Sequence, residues 1–256
     1  MKLSTRLTRI AEQIPAGSRL ADIGSDHALL PVFAVRQGRV TQAVAGEVNQ
    51  GPLDAAQRQV NEAGLGHVIQ PRLGNGLAVL QPGEVDVITI AGMGGALIVT
   101  ILSEGLDKLE GVSRLILQPN VGEEFVRRWL LEHGWFLSAE QILEEDGRTY
   151  EILTADRLED AAVRNGELYR ERLLAGPEGL QVELHDFNLL QFGPYLLEEA
   201  SSIFVEKWQQ EIGKLEKVAA SVGRSDTDEA KLKVAALNQQ IKLVKEVLLC
   251  LQKDKR

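Results

Sequence analysis

The sequence predicts an α/β fold with a mostly parallel sheet for residues 1–160 and an α-helical hairpin for residues 161–256. In the first part, short apolar runs alternate with segments whose apolar residues recur every three or four positions, which is typical of alternating strands and helices. After residue 160, glycine becomes rarer and the strand patterns stop. Strands that alternate with helices form a parallel sheet covered on both faces. We therefore expect two domains with these boundaries.

The elements of the first domain each have a local signal. The opening helix, 3–14, has apolar residues at helical spacing and is ended by Pro15-Ala16-Gly17. The last two strands flank Glu144–Arg148, which is typical of a hairpin tip and predicts an antiparallel edge. The other predicted elements are, in order, strand 19–24, helix 28–37, strand 41–48, helix 52–63, strands 67–73 and 85–90, helix 95–109, strand 113–118, helix 123–133, and strands 136–143 and 149–155.

The second domain is predicted to be an antiparallel coiled-coil hairpin. Apolar residues from Phe204 to Ala219 form one helical stripe, and those from Val234 to Leu251 repeat with the spacings 3, 4, 3, 4, 3 of a heptad seam. Residues 221–226 form the turn between them, and either Ser225 or Asp226 is expected to cap the second helix. Because a short turn favours pairing within one chain, a monomer is favoured, while a dimer formed through the seam stays an alternative.

Composition limits the classes of protein that fit. The chain has 256 residues, of which 44% are hydrophobic and 25% charged, so it can bury a core without disulfides or a structural metal. A single cysteine excludes a disulfide framework and a cysteine-based zinc site within one chain, and fits a reducing cytoplasm. The N-terminus lacks the pattern of a signal peptide, and no apolar run approaches the ~18 residues of a membrane span. We expect a cytoplasmic protein without a membrane or metal partner.

The charge of the chain is unevenly distributed. The net charge of −9 argues weakly against a nucleic-acid partner, because phosphate binding needs clustered lysine and arginine. Two patches differ from this average: Lys2, Arg6 and Arg9 precede any acidic residue, and residues 231–256 carry seven basic side chains against two acidic ones. Each patch is either a solvated helix face or a surface that contacts RNA.

The first candidate site is the segment from Asp22 to His27, where a strand ends and a helix begins. Gly24 lets the backbone approach a ligand closely because it has no Cβ. Asp26 stands where a dinucleotide-binding loop has its second glycine, and a carboxylate there disfavours a pyrophosphate. A cationic ligand such as S-adenosylmethionine, with its α-amino group and sulfonium, fits two aspartates better. Two alternatives stay open: Asp26 caps the helix, and His27 has only a structural role.

Four further segments follow the later strands. Glu47 lies about 23 residues after Gly24, where an acid pairs with the hydroxyls of a ribose. Asn75, between two glycines, can meet the edge of an adenine, and the glycine-rich loop around Met93 brings backbone close to a reacting centre. Gln118-Pro119-Asn120 supplies two side-chain amides. Each segment alone also fits an ordinary turn or an exposed strand end, but all lie at one predicted edge of the sheet, which indicates one site.

These motifs, in this order, resemble the bacterial tRNA adenine-22 N1-methyltransferase family. The resemblance is carried by Ala21-Asp22-Ile23-Gly24-Ser25-Asp26-His27, Ala45-Gly46-Glu47, Gly51-Pro52, Ile88-Thr89-Ile90-Ala91-Gly92-Met93-Gly94-Gly95, Leu115-Ile116-Leu117-Gln118-Pro119-Asn120 and Glu144-Glu145-Asp146-Gly147. It implies a class I (Rossmann-like) methyltransferase fold, S-adenosyl-L-methionine as methyl donor, and methylation of N1 of adenine 22 in the D-arm region of tRNA. Asn75 departs from the family's usual aspartate, which affects the expected cofactor affinity rather than the reaction.

The motifs and the resemblance together assign roles to residues. We expect the cofactor to be bound by Asp22, Gly24, Ser25, His27, Glu47, Asn75, Gly76, Ala91 and Gly92. The expected catalytic residues are Asp26, Gly92, Met93 and Gly94, with Asp26 stabilising the cationic product or taking a proton from N6. Arg6, Arg9 and Asn120 are expected to bind the tRNA, and no residue is expected to bind a metal.

Two other functions remain open at this point. A class I methyltransferase acting on a small molecule or a protein would fit the net charge of −9. A cofactor-binding module without activity, whose helical hairpin recruits a partner, would fit the weaker cofactor binding expected with Asn75.

Overall fold

The computed structural model describes residues 3–251. The chain divides into two compact units, Met1–Glu167 and Leu168–Arg256. Lys2 and the basic residues Lys253, Lys255 and Arg256 lie outside the described residues. Within residues 3–251, no helix combines the length and the apolar character needed to cross a bilayer.

The first unit is built on a seven-stranded sheet with the order β3-β2-β1-β4-β5-β7-β6. The strands from β1 to β5 are parallel, whereas β7 is antiparallel to both β5 and β6. The strand order reverses between β1 and β4, which is the place where such sheets bind ligands. The strands are β1 (Ser18–Ile23), β2 (Val40–Glu47), β3 (Ile69–Leu73), β4 (Val87–Met93), β5 (Arg114–Pro119), β6 (Phe136–Glu145) and β7 (Arg148–Asp156). The predicted mostly parallel sheet with an antiparallel edge is confirmed.

Four helices connect strands of this sheet, one precedes it and one follows it, and most of the predicted ones begin and end within two or three residues of their predicted bounds. They are α1 (Thr5–Glu12), α2 (Leu29–Arg36), α3 (Gln50–Glu62), α4 (Gly95–Glu104), α5 (Glu123–Glu132) and α6 (Ala161–Leu168). The predicted helix 95–109 is wrong in its second half, because α4 ends at Glu104 and a separate 3-10 turn covers Leu106–Leu109. Gly105 separates the two, and a Cβ there would lie only 2.5 Å from the side chain of Leu77.

The first unit has a hydrophobic core that also contains an ion cluster. Both faces of β4 are covered, since Val87, Ile88 and Ile90 are all buried. Arg127 of α5 is fully buried and pairs with Glu140 of β6 at 2.6 Å and with Glu151 of β7. The cluster joins the helix to the antiparallel edge of the sheet.

The second unit contains helices and one small sheet. The strands are β8 (Arg172–Ala175) and β9 (Gln181–Leu184), and the helices are α7 (Asp186–Phe192), α8 (Pro194–Glu199), α9 (Ser202–Val222) and α10 (Asp228–Leu251). The prediction that strands stop after residue 160 is therefore wrong. The two strands have four residues each, too few for a strand pattern to be detected, and only Val182 and Leu184 of β9 alternate as buried residues.

The two long helices pack against each other as the predicted hairpin. Their apolar residues face one another, and Lys245 Nζ reaches Glu216 Oε1 at 2.7 Å across the pair. The prediction that Ser225 or Asp226 caps the second helix is wrong. The cap is Thr227, whose hydroxyl accepts a hydrogen bond from the backbone N–H of Ala230 at 3.3 Å. Cys250, outside the heptad seam, is buried because α10 also packs on the small sheet.

Candidate active site

The five segments singled out in the sequence meet at the carboxyl edge of the parallel strands. Backbone hydrogen bonds join neighbouring loops there: Gly24 N–H donates to the Gly46 carbonyl at 2.9 Å, and Gly74 N–H donates to the Glu47 carbonyl at 2.8 Å. The N–H of Asn120 likewise donates to the Met93 carbonyl at 2.7 Å. The loops therefore form one connected edge around the point where the strand order reverses.

The loop after β1 has an uncommon backbone. Gly24 has φ +71°, and Asp26, His27 and Ala28 follow with φ values of 38°, 65° and 53°. Each non-glycine residue in this left-handed region costs roughly 1–2 kcal/mol. The Cβ position of Gly24 faces the methyl end of Met93, so the two loops lie close together, and the positive φ favours glycine at this position. Because Gly24 has no side chain, the loop forms a cradle in which a cofactor can approach the backbone closely.

Asp22 holds this loop through hydrogen bonds of its buried carboxylate. The residue is buried, and its two carboxylate oxygens accept hydrogen bonds of 2.6 Å from the hydroxyls of Ser25 and Thr89. Burial raises the pKa of Asp22 to about 6, although both hydroxyl donors oppose the increase. Asp22 and Ser25, predicted to bind the cofactor, thus bond to each other beneath the loop.

Glu47 and Asp26 differ in their surroundings. Glu47 is buried at the end of β2, and its Oε1 accepts a hydrogen bond of 2.6 Å from the N–H of Asp26. Burial raises the pKa of Glu47. The Asp26 carboxylate is 84% exposed and lies 3.6 Å from Nε2 of His27. The alternative that Asp26 caps α2 is wrong, because the N-cap residue is Ala28 and no side chain bonds to that helix end.

Asn75 is an exposed residue that follows β3. It precedes the 3-10 turn Gly76–Val79 and accepts a hydrogen bond of 3.0 Å on its backbone carbonyl from Ala78. Its side chain makes no cap bond to the turn, so the amide is available for a ligand.

The loops after β4 and β5 are joined through side-chain amides. Gln118 is fully buried, and its Oε1 accepts from the Gly92 N–H at 3.1 Å and from Arg6 Nη1. Its Nε2 donates to the Pro119 carbonyl at 2.8 Å and to Asn120 Oδ1 at 3.2 Å. Asn120 Nδ2 in turn donates to the Gly92 carbonyl at 2.8 Å. Both polar groups of the Gly92 backbone are therefore held by side chains, one from the end of β5 and one from the residue that follows it.

The two arginines predicted to contact tRNA lie in different surroundings. Arg6 is half-buried at the edge of the site, where its guanidinium lies 5.2 Å from the ring centroid of Tyr150. Its helix is held by Glu145, whose carboxylate accepts from the backbone N–H of Thr5 at 2.5 Å and of Arg6 at 3.4 Å. Arg9 is exposed and pairs with a glutamate on its own helix. Only Arg9 is thus on an open surface.

Sequence reasoning missed the supporting residues of the site. Thr89, Gln118 and Glu145 were part of recognised motifs, but nothing in their spacing indicated what they contact. The side-chain amide of Gln118 at the end of a buried strand was the one usable signal. The position of Arg6 had none, because α1 precedes the sheet and its contact lies 112 residues away in the chain.

Several charged groups of the second unit form ion pairs. In the described part of residues 231–256, three lysines form ion pairs with nearby acids: Lys231, Lys242 and Lys245. In the second unit, the exposed side chains of Glu171, Glu183 and His185 place their ligand atoms within 4.8 Å of one another. His185 Nδ1 lies 2.8 Å from Glu171 Oε1, so an ion pair explains this arrangement, and the absence of a metal stays a prediction.

A doubly wound sheet in which an antiparallel β7 lies between β5 and β6, with a glycine loop after the first strand and an acid at the end of the second, is typical of class I methyltransferases. The matching family model is described as tRNA (adenine(22)-N(1))-methyltransferase, TrmK, and covers residues 20–246. The tRNA (adenine(22)-N(1))-methyltransferase of Bacillus subtilis (strain 168) is 42% identical over 249 residues, 97% of this chain and 98% of the relative. The chain therefore belongs to the TrmK family of tRNA (adenine(22)-N(1))-methyltransferases.

Solved structures support this membership. The crystal structure of the Bacillus subtilis M1A22 tRNA methyltransferase TrmK matches with a TM-score of 0.84 and 42% identity, over 96% of this chain and 99% of that chain. Streptococcus pneumoniae Sp1610 in complex with S-adenosyl-L-methionine matches with a TM-score of 0.77 and 42% identity, over 96% and 100%. The predicted family, fold class, enzyme class and cofactor are confirmed.

Proposed function

We propose that this chain transfers a methyl group from S-adenosyl-L-methionine to N1 of adenine 22 in tRNA. The observation that carries the proposal is the meeting of two loops at the carboxyl edge of the sheet. The left-handed loop at Gly24 forms a cradle for a cofactor, and the Gly92 loop lies directly against it through Met93. Membership in the TrmK family supports the choice of tRNA and of the nucleotide.

The cofactor would be held by residues at the ends of the first four strands. Asp22, Gly24, Ser25 and His27 would surround its methionine part, and Glu47 would bind the ribose hydroxyls. Asn75 beside Gly76 would meet its adenine, and Ala91 and Gly92 would close the other side. Asn75 can accept a hydrogen bond from an adenine amino group as an aspartate can, but without a negative charge. When bound, S-adenosylmethionine supplies the electrophilic methyl group.

The chain's own residues would then position the acceptor. N1 of adenine already has a lone pair, so no general base is needed before the attack. The backbone of Gly92, Met93 and Gly94 would hold the base in line, assisted by Asn120. Asp26 would stabilise the positive charge of the methylated base. Because N1 lies on the Watson–Crick edge, a paired adenine must first leave its helix.

The tRNA would be bound mainly outside this pocket. Arg9 is exposed on the first helix and suits a phosphate contact, while Arg6 would contact the substrate at the edge of the site. The catalytic domain would comprise residues 1–160, and the helical domain, 161–256, would also contact the tRNA. We place the protein in the cytoplasm, where tRNA is modified, and expect a monomer without a bound metal.

The reaction is tested with purified chain, radiolabelled S-adenosylmethionine and two tRNA transcripts that differ only at position 22, adenine in one and guanine in the other. We expect label only in the adenine transcript, and a block to primer extension at that nucleotide. No label in either RNA, or equal label in both, contradicts the proposal. Glu47→Gln should weaken cofactor binding in calorimetry, while Asp54→Asn, an exposed acid on α3, serves as the matched control.

A further inference from the structure

The strand ladder between β4 and β5 is interrupted beside the active-site loop. Ala91 pairs with Gln118 and Met93 pairs with Pro119, so Gly92 is an extra residue that the β5 backbone does not match. Gly92 has φ +77°, in the left-handed region. An extra residue of this kind turns the strand and leaves its backbone groups without ladder partners. Side chains must therefore replace the missing hydrogen bonds.

Gln118 supplies this replacement and has only one satisfied orientation. Its Oε1 faces two donors, the N–H of Gly92 and Nη1 of Arg6, and its Nε2 faces the oxygens of Pro119 and Asn120. A flipped amide would place its NH2 group against both donors and its oxygen against both acceptors. The buried amide thus fixes the direction of the Gly92 peptide.

Arg6 keeps the Gln118 amide in this orientation. As a permanent cation it donates to the same oxygen that binds Gly92, and its position is fixed by Tyr150 beneath it and by Glu145 at the start of its helix. A Cβ on Gly92 would lie 3.7 Å from Arg6 Nη1, so the arginine directly borders the loop. Helix α1 thereby acts on the loop although it precedes the whole sheet in sequence.

We propose that Gln118, locked by Arg6, is a positioning residue that sets the Gly92 peptide in the geometry needed for methyl transfer. The proposal rests on the proposed function, because it assigns the base-positioning role to the Gly92 loop. A reaction without a general base depends mainly on alignment of its two reactants, and a displacement of about 1 Å can lower such a rate about 100-fold.

The test compares Arg6→Ala, Arg6→Lys and Gln118→Leu with Arg36→Ala, an exposed arginine in the last turn of α2. Four quantities are measured: the single-turnover rate at saturating cofactor and tRNA, the cofactor Kd, the tRNA Kd and the thermal midpoint. We expect Arg6→Ala to lower the single-turnover rate about 10- to 100-fold, with a cofactor Kd close to that of the unchanged chain. Arg6→Lys should recover part of the rate, and Arg36→Ala should leave it unchanged.

Non-additivity provides the second readout. Because the two residues act as one unit, Arg6→Ala combined with Gln118→Leu should be no slower than the slower single variant. If Gln118→Leu does not fold, the two Arg6 variants still decide the matter. An Arg6→Ala variant that only weakens tRNA binding, with an unchanged saturated rate, overturns the proposal. Absence of methylation by the unchanged chain in the same assay would instead contradict the proposed function.

Discussion

Replacing Asp22 by asparagine should make the protein more stable at neutral pH. The carboxylate is buried beneath the first loop and has a pKa of about 6 instead of 3.8, chiefly because burial disfavours its charged form. Each unit of pKa difference corresponds to about 1.36 kcal/mol. Ionised Asp22 therefore lowers the free energy of unfolding by about 3 kcal/mol relative to a carboxyl group with its ordinary pKa. An asparagine removes the charge, and its amide can still bond to the hydroxyls of Ser25 and Thr89, which both donate and accept.

The pH dependence of this effect has a definite sign. An acid whose pKa is higher in the folded state binds its proton more tightly there, so folding is favoured at low pH. The contribution of Asp22 to stability should fall as the pH rises from about 4 to about 6, and stay constant above that. Glu47 has a raised pKa for the same reason and adds a trend of the same sign. The difference between the unchanged chain and Asp22→Asn isolates the Asp22 contribution.

The assay is thermal and urea unfolding at pH 4, 6 and 8 for the unchanged chain, Asp22→Asn and the exposed-acid control Asp54→Asn. For a unit of this size, about 3 kcal/mol corresponds to a rise of about 6–12 °C in the midpoint at pH 8. At pH 4 the two midpoints should nearly coincide. An Asp22→Asn variant with an equal or lower midpoint at pH 8, and an unchanged pH slope, would refute the reasoning. The stabilised variant should also bind S-adenosylmethionine more weakly, because a negative charge near its amino group is lost.

Three further substitutions test the supports of the fold. Arg127→Met should lower the free energy of unfolding in urea by about 3–5 kcal/mol, because it leaves two buried glutamates without their cation. An unchanged unfolding midpoint would contradict the role of the ion cluster. Gly95→Ala should lower both the thermal midpoint and the transfer rate, because its Cβ would strike the backbone carbonyl of Gly122; Gly51→Ala, which meets no atom within 4 Å, is the control that should do neither. Thr227→Ala should lower the free energy of unfolding by about 1 kcal/mol, because the helix cap is lost. An unchanged free energy of unfolding in guanidinium would contradict the role of the cap.

The parallel strands were predictable from the sequence because a sheet covered on both faces needs continuous apolar runs. β4 and β5 are such runs: the first four residues of β4 and all residues of β5 after Arg114 are buried. The small sheet of the second unit was not predictable, since β8 and β9 are four residues long and largely exposed on one side. The end of α4 was missed, although glycine often ends a helix, because the helical spacing of apolar residues continues past Gly105 to Leu106 and Leu109.

The candidate site could be predicted only in part. Gly24, Glu47 and the Gly92 loop stand at strand ends, and the chemistry of a strand end can be inferred from residue type and order alone. Contacts between elements distant in sequence have no such signal. The bond between Arg6 and Gln118, and the hydrogen bonds from α1 to Glu145, depend on where α1 packs, which no periodicity encodes.

The two loops of the site have supports of the same kind, and this bears on the role of Asp26. Asp22 holds the first loop and Gln118 holds the second, each as a buried side chain with its polar atoms satisfied. The Asp26 carboxylate, in contrast, is 84% exposed, and an exposed charge stabilises a nearby cation only weakly. Asp26 therefore contributes to catalysis only if bound tRNA covers it. In that case Asp26→Asn should lower the transfer rate on whole tRNA while leaving cofactor affinity unchanged, and an equal loss of both would place Asp26 with the cofactor instead.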